Sequence, residues 1–216
     1  MTLKIDLHVH SCYSRDSIIT LEKLVFYARR RGLDGVAVTD HDSVQGAIQF
    51  ARQTDLLIIP GIEVSTAGGH VVGLGVQDLI PRGLSVAYTV ERIHEASGIA
   101  VFCHPSAFFK GSVDGDTSAR FDAVEVMNSS AIPFKHSVNQ GEKIAARLGL
   151  PRVAGSDAHF GPDIGCAYTE THGGRSVDDA IADITKGRCE PRGKSIPALM
   201  RIRREAALMR RKIRLI

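Results

Sequence analysis

The sequence predicts a β/α barrel whose polar site lies at the C-terminal ends of its strands. Short apolar runs of strand composition alternate with helical patterns of about 10 to 15 residues, the order of βα units around a parallel sheet. Six of those runs are followed at once by His, Asp or Glu. In a closed barrel all the strand C-termini meet on one face, so such residues converge there. A doubly wound open sheet is the alternative, but it gathers only the strands beside its switch point. With 216 residues, 44% of them hydrophobic, the chain suits one domain with a buried core.

The first strand is read over residues 3–7 and runs into Asp6-Leu7-His8-Val9-His10. Side chains alternate with period two along a strand, so His8 and His10 point the same way and can grip one ion. Residues 11–19 form a polar loop containing Asp16, and Thr20 caps a helix over 21–31 that Gly32 stops. Residues 35–38 make a second strand, followed by Thr39-Asp40-His41-Asp42 and a helix over 43–53. A third strand, 56–59, breaks at Pro60-Gly61 and resumes as Ile62-Glu63-Val64. A glycine turn then leads to a strand over 70–76 that starts with His70.

A helix over 85–97 and a strand over 99–102 bring the chain to Cys103-His104-Pro105. Residues 106–120 have loop composition, and a strand over 123–127 leads to Asn128. A helix over 139–148, a strand over 152–154 and Gly155-Ser156-Asp157-Ala158-His159 follow. A short strand over 167–169 and a helix over 176–186 complete the barrel.

Nine residues at or near strand ends are of metal-ligand type: His8, His10, Asp16, His41, Glu63, His70, His104, Asp157 and His159. Imidazole mixed with carboxylate suits Zn, Mn or Fe. Nine ligands exceed one coordination sphere, and a carboxylate such as Glu63 can bridge two ions, so two or three divalent metals are expected. Asp40 and Asp42 flank His41, and one of them is expected to orient its ring. Glu125 and Asn128 are expected to give polar support. Arg15, Lys110, Lys135, His136 and Arg175 are candidate phosphate contacts on loops expected near the mouth. Cys103 is expected to face away from the site, since it neighbours His104 on a strand.

In order, His8-x-His10, Asp16, Asp40-His41-Asp42, Gly61-Ile62-Glu63, His70, His104-Pro105, Glu125-x-x-Asn128 and Gly155-Ser156-Asp157-Ala158-His159 resemble the PHP family, the polymerase-and-histidinol-phosphatase superfamily of metal-dependent phosphoesterases. The resemblance runs from about residue 3 to residue 190. It implies a distorted barrel of seven β/α units with three metals at its C-terminal mouth. By the same resemblance one metal takes His8, His10, Glu63 and Asp157, a second shares Glu63 with His70 and His104, and the third takes Asp16, His41 and His159. Asp16 adds oxygen character and favours Mn or Fe over Zn.

The implied reaction is phosphoester hydrolysis by a hydroxide held between metals, with Asp157 or His159 protonating the leaving group. The substrate class is a phosphorylated small molecule, a nucleotide or an oligonucleotide end. Glu63 and His104 stand only 41 positions apart, which leaves no room for an inserted cap. An amidohydrolase-like enzyme is one alternative, but the lysine that bridges its metals has no counterpart here. A catalytically silent metal-binding domain is the other, and no ligand is missing.

The division expected is a domain over 1–193 and a basic helical tail over 194–216. Arg201, Arg203, Arg204, Arg210, Arg211, Lys212 and Arg214 crowd that tail, among Leu199, Ile202, Leu208, Met209, Ile213 and Ile216. Packing on the barrel or a second subunit, nucleic-acid contact and an anionic membrane surface are the three uses such a helix has. No apolar run reaches the roughly 20 residues that span a bilayer. The four cysteines have no pairing motif, and with no secretory signal at the start a cytoplasmic location is expected.

Overall fold

The computed structural model describes residues 2–105 and 119–214. The elements are β1 (Leu3–Val9), α1 (Leu21–Arg30), β2 (Gly35–Val38), α2 (Gln45–Ala51), β3 (Leu57–Thr66), β4 (Gly69–Leu74), α3 (Val86–Glu95), β5 (Ile99–Phe102), β6 (Ala123–Asn128), α4 (Phe134–Leu148), β7 (Arg152–Gly155), β8 (Ala167–Thr171), α5 (Val177–Thr185), β9 (Cys189–Gly193) and α6 (Ala198–Arg214). The strands form one sheet in the order β7-β6-β5-β4-β3-β2-β1-β8-β9. This sheet curls into a nearly closed barrel, the distorted α/β barrel that the sequence predicts.

The curl comes from two different neighbours on one edge of β1. Its lower half pairs antiparallel with β8, Leu3 opposite Thr171 and Ile5 opposite Thr169. At its upper end Val9 bridges in parallel to Ala158, just beyond β7. There the His10 N–H donates to the Ala158 carbonyl at 2.9 Å and the Asp157 N–H to the His8 carbonyl at 2.8 Å. Below that seam Thr169 of β8 substitutes for a strand partner. Its hydroxyl accepts from the Ala154 N–H at 2.8 Å and donates to the Ala154 carbonyl at 3.0 Å.

The expectation of uniform parallel βα units is corrected at three strands. β4 returns antiparallel on β3, and β8 and β9 also run antiparallel to their neighbours. The hairpin carries His70 at the start of its strand rather than the end, which leaves it on the same face of the barrel. β3 does not break at Pro60-Gly61. Residues 57–60 pair with β2, and residues 61–66 pair with β4. The Pro60 carbonyl accepts the Gly75 N–H at 2.7 Å, while a Cβ on Gly61 would lie 2.7 Å from the Gly73 carbonyl oxygen. Glycine is therefore required where β4 crosses so closely. β9, Cys-Glu-Pro-Arg-Gly, escapes sequence reading because Pro and Gly fit an edge strand that needs few ladder bonds.

Leu3, Ile5, Leu7, Ile59, Val101 and Val153 are among the side chains that fill the barrel interior. Two further apolar clusters lie under the helices, around Val64, Val90 and Phe102 and around Leu24, Val36 and Phe50. Thr20, Ser85 and Ser176 cap α1, α3 and α5 through their hydroxyls, as their residue types favour.

The basic tail forms α6, and three of its arginines turn towards the barrel. Arg201 donates to the carbonyls of Ser129 and Ser130, each at 2.9 Å. Arg204 donates to the Ser130 hydroxyl at 3.1 Å and faces the buried Asp163 at 3.7 Å. Arg211 reaches the carbonyls of Cys12 and Ser14 at 3.4 and 3.3 Å. No helix among the described residues is long and apolar enough to cross a membrane.

Thr169→Val keeps the shape of the side chain but strands the buried Ala154 N–H. An unfolding free energy lower by about 1–3 kcal/mol in urea melts is expected, the cost of one unsatisfied buried donor. An unchanged midpoint would show that the hydroxyl does not hold β8 to β7.

Candidate metal centre

Each of the nine candidate ligands belongs to one continuous cluster at the upper end of the barrel. Sets with atoms within 4.8 Å of one another are His8, His10 and Glu63; His8, His104 and Asp157; His41, Glu63 and His70; and His10, Asp16, His41 and His159. The strands explain the convergence. His8 and His10 share a face of β1, with rings 5.2 Å apart, and His159 stacks on His10 at 4.1 Å. His41 follows β2, Glu63 lies on β3, His70 on β4, His104 follows β5, and Asp157 follows β7.

Glu63 is the hub. Its Oε2 lies 3.3 Å from His8 Nε2, 3.0 Å from His10 Nε2 and 3.3 Å from His41 Nδ1. Its Oε1 lies 2.9 Å from both His70 Nδ1 and His104 Nε2. At the outer edge Asp16 Oδ2 faces His159 Nε2 at 3.1 Å and His41 Nε2 at 3.5 Å. Asp157 Oδ1 stands 3.5 Å from His10 Nε2 and 3.4 Å from His159 Nδ1.

Burial opposes charge on Glu63, but the His8 charge and the rings of His10, His104 and His70 around its oxygens outweigh it and hold the carboxyl well below its ordinary range. Burial likewise works against a proton on His8, yet Glu125 and Glu63 beside it push it up to about 10. Asp16 is held far below the usual carboxylate range against its own burial, by His159 and His41. His10 Nε2 is fully buried and makes no hydrogen bond, though Glu63 and Asp157 oxygens stand near it. An aimed lone pair beside two carboxylates fits a divalent cation, and the nitrogen and oxygen donor set suits Zn, Mn or Fe.

Two ligands sit on strained backbone. His104 and Asp157 have φ of +32° and +53°, the left-handed region that side chains avoid. The kink at His104 ends the strand alternation, which corrects the expected orientation of Cys103. Its Sγ lies with Glu63 and His104 within 4.8 Å and donates to the His70 carbonyl at 3.3 Å.

The supporting residues divide differently from expectation. Glu125 accepts from His8 Nδ1 at 3.0 Å, and its other oxygen takes the His104 N–H and Asn128 Nδ2, each at 2.9 Å. Asn128 also donates to Asp157 Oδ2 at 3.2 Å. A Cβ on Gly155 would fall 2.4 Å from the His8 Cβ, so only glycine admits the His8–Glu125 contact. Neither Asp40 nor Asp42 turns to the His41 ring, whose nitrogens face Asp16 and Glu63. Asp40 holds the Ser11 N–H and hydroxyl at 2.6 and 2.7 Å, and Asp42 takes the Ser65 N–H at 2.8 Å. Each is taken by donors of a neighbouring segment, Asp40 by the loop after β1 and Asp42 by β3.

Other supports are legible only in three dimensions. The Ser14 hydroxyl meets His10 Nδ1 at 3.3 Å and accepts the His41 N–H at 2.9 Å. Buried Asp6 takes the N–H and hydroxyl of Ser156 at 2.8 and 2.5 Å, fixing the turn that carries Asp157. Arg82, with 77% of its side chain exposed, stands 3.9 Å from Asp42 and adds a rim cation that sequence reading misses. Arg15 is exposed beside Asp16, and Lys135 and His136 are exposed on the first turn of α4. Lys110 lies outside the described residues. Arg175 is a correction: it lines a cavity with Leu3, Asp34 and Asp55 at the opposite end of the barrel, because β8 runs antiparallel and delivers it there.

Glu125→Gln retains size but cannot accept from His8, His104 and Asn128 together. Metal affinity should fall by roughly 10- to 100-fold, the usual cost of losing a residue that orients a ligand, with little change in thermal midpoint. Calorimetric titration with Mn or Zn checks it, and unaltered affinity would remove Glu125 from the site.

The PHP domain family model matches residues 6–113, and the PHP-associated model matches residues 135–189. An uncharacterized protein of Methanocaldococcus jannaschii is 31% identical over 141 residues, which cover 59% of this chain and 82% of that protein. A phosphoribosyl 1,2-cyclic phosphate 1,2-diphosphodiesterase of Eggerthella lenta is 34% identical over 102 residues, covering 43% of this chain and 38% of the relative. Among solved structures, a two-domain protein of Bacteroides vulgatus containing a predicted PHP-like metal-dependent phosphoesterase superposes with a TM-score of 0.73 at 18% identity, over 90% of this chain and 65% of that one. The fold, the order of motifs and the matched family model lead to one conclusion: the chain belongs to the PHP family.

Proposed function

We propose that this chain is a divalent-metal-dependent hydrolase of phosphoesters, acting on a small phosphomonoester, a nucleotide or an oligonucleotide end. The observation that carries this reading is Glu63, a buried carboxylate with five imidazoles around its two oxygens at 2.9 to 3.3 Å. His8, His10, Asp16, His41, His70, His104 and Asp157 join it as ligands of two or three ions. When bound, the ions neutralise phosphoryl oxygens and acidify the water they hold. The hydrolase reading is further supported by the naming of the Eggerthella lenta relative as a phosphodiesterase.

The chain's own residues supply the rest. The leaving oxygen needs a proton from a side chain that reaches solvent. Asp157 is 2% exposed among imidazoles, whereas His159 is 12% exposed at the edge, so Asp157 is assigned to the ions and His159 to the proton. Arg82, Arg15, Lys135 and His136 are exposed, and in this reading they contact the substrate's remaining phosphate oxygens. The stretch between Glu63 and His104 is taken up by β4, α3 and β5, which supports access for more than one substrate shape. Asp16 at the outer set favours Mn or Fe there over Zn.

Metal analysis after reconstitution with Mn or Fe should give more than one ion per chain. Glu63→Gln should lose metal and activity beyond the roughly 10- to 100-fold that removing a supporting residue costs, since one side chain serves two ions. A panel of phosphomonoesters, nucleoside bisphosphates and short oligonucleotides, assayed with Mn, Fe, Zn and Mg in turn, tests the chemistry. Turnover of at least one, abolished by His41→Ala with the melting midpoint retained, is expected. A blank panel from fully metallated protein would leave a metal-binding domain without hydrolytic activity.

A further inference from the structure

Helix α6 packs three arginines against the barrel and leaves an apolar stripe open to solvent. On the face against the barrel Arg201, Arg204 and Arg211 bond to loop carbonyls and hydroxyls, beside the partly buried Met200, Ala207 and Leu208, and the Arg204 side chain is only 15% exposed. The face towards solvent carries an apolar stripe between exposed Arg203, Glu205 and Arg210. Leu199, Ile202 and Met209 are 58%, 66% and 63% exposed, with exposed Ala206 between them. Burying a Leu, Ile or Met side chain is worth about 1.5–3 kcal/mol, so a helix that leaves three of them open on one line forgoes a large stabilisation unless something covers them.

The spacing says what shape covers them. Leu199, Ile202, Ala206 and Met209 follow steps of three, four and three, and in the sequence Ile213 and Ile216 extend the series by four and three. That is the a/d pattern of a coiled coil, with Arg204 and Arg211 both at the position facing away from the seam. A helix lying on a membrane presents a broad apolar face rimmed by Lys and Arg. Here the stripe is narrow, with Glu205 on one side of it and Arg203 and Arg210 on the other.

We propose that α6 is a self-association seam, pairing in parallel with α6 of a second copy of this chain. Charge selects both the occupant and the direction. On this heptad Glu205 is a g residue and Arg203 and Arg210 are e residues. In a parallel pair g of one helix faces e of the next heptad on the other, so Glu205 meets Arg210 of the second copy, twice by symmetry. In an antiparallel pair e faces e, which sets Arg203 and Arg210 against their own kind. Seventeen residues span only about 25 Å. The short seam is viable because the three inward arginines already fix the helix on the barrel, lowering the ordering cost of pairing. The proposal is independent of the hydrolytic reading.

Sedimentation equilibrium of the full chain, across a hundredfold range of concentration, tests it. The mass should rise from 23.3 kDa towards twice that value. Ile202→Glu with Met209→Glu should hold the protein at the monomer mass without lowering its thermal midpoint, because both side chains are exposed in the single chain. Glu205→Lys should weaken association, and adding Arg210→Glu should restore it. Ile202→Cys should cross-link to itself under mild oxidation, which a parallel register allows and an antiparallel one does not. A wild-type mass fixed at the monomer, or a dimer indifferent to the double substitution, would overturn the seam. Monomeric protein that co-sediments with phosphatidylserine vesicles would also overturn it, giving the face to lipid instead.

Discussion

The interaction on which this molecule depends is one carboxylate among imidazoles. Glu63 is 2% exposed, and burial of a carboxylate without compensation is prohibitive. Its compensation comes from β1, β2, β4 and β5 at once, through His8, His10, His41, His70 and His104. β1, β2 and β5 end, and β4 begins, at the height that puts their rings on Glu63. The register of the sheet and the polarity of its upper end are therefore one constraint, and a slip of one residue in any of these strands would turn a ring out of the cluster.

Support for the cluster is arranged in the same economical way. Glu125 orients His8 through one oxygen and ties the His104 backbone and Asn128 through the other. Asn128 in turn reaches Asp157, and Asp6 pins Ser156 beside it. The left-handed backbone at His104 and Asp157 is tolerable because these bonds over-determine it, as is usual where function outranks local comfort.

Much of this was legible in the sequence, for a definite reason. Period-two pairs such as His8-x-His10 and Asp157-x-His159 encode a shared face, and their recurrence at strand ends encodes a barrel mouth. Cap residues and stop glycines placed most helices well. What could not be read was whatever depends on a partner distant in sequence. Pro60-Gly61 looked like a break because a sequence does not show β3 changing neighbours there. The polarity of β8, hence the position of Arg175, follows from pairing alone. Asp40 and Asp42 flank His41 in sequence, whereas Ser11 and the Ser65 amide of β3, distant in sequence, take their oxygens. Cys103 obeyed strand alternation on paper, but the kink at His104 cancels it.

The seam between β1 and β7 has a geometric consequence. At the base, β8 stands between those two strands; at the mouth, β1 touches the end of β7 directly. On this side the wall is therefore shorter at the top than at the base, and the section narrows towards the mouth. The barrel tapers like a funnel turned upside down. The apolar interior occupies the wider part, where branched side chains need volume. The narrow end brings histidines of β1, β2, β4 and β5 together on the oxygens of one carboxylate, at 2.9 to 3.3 Å.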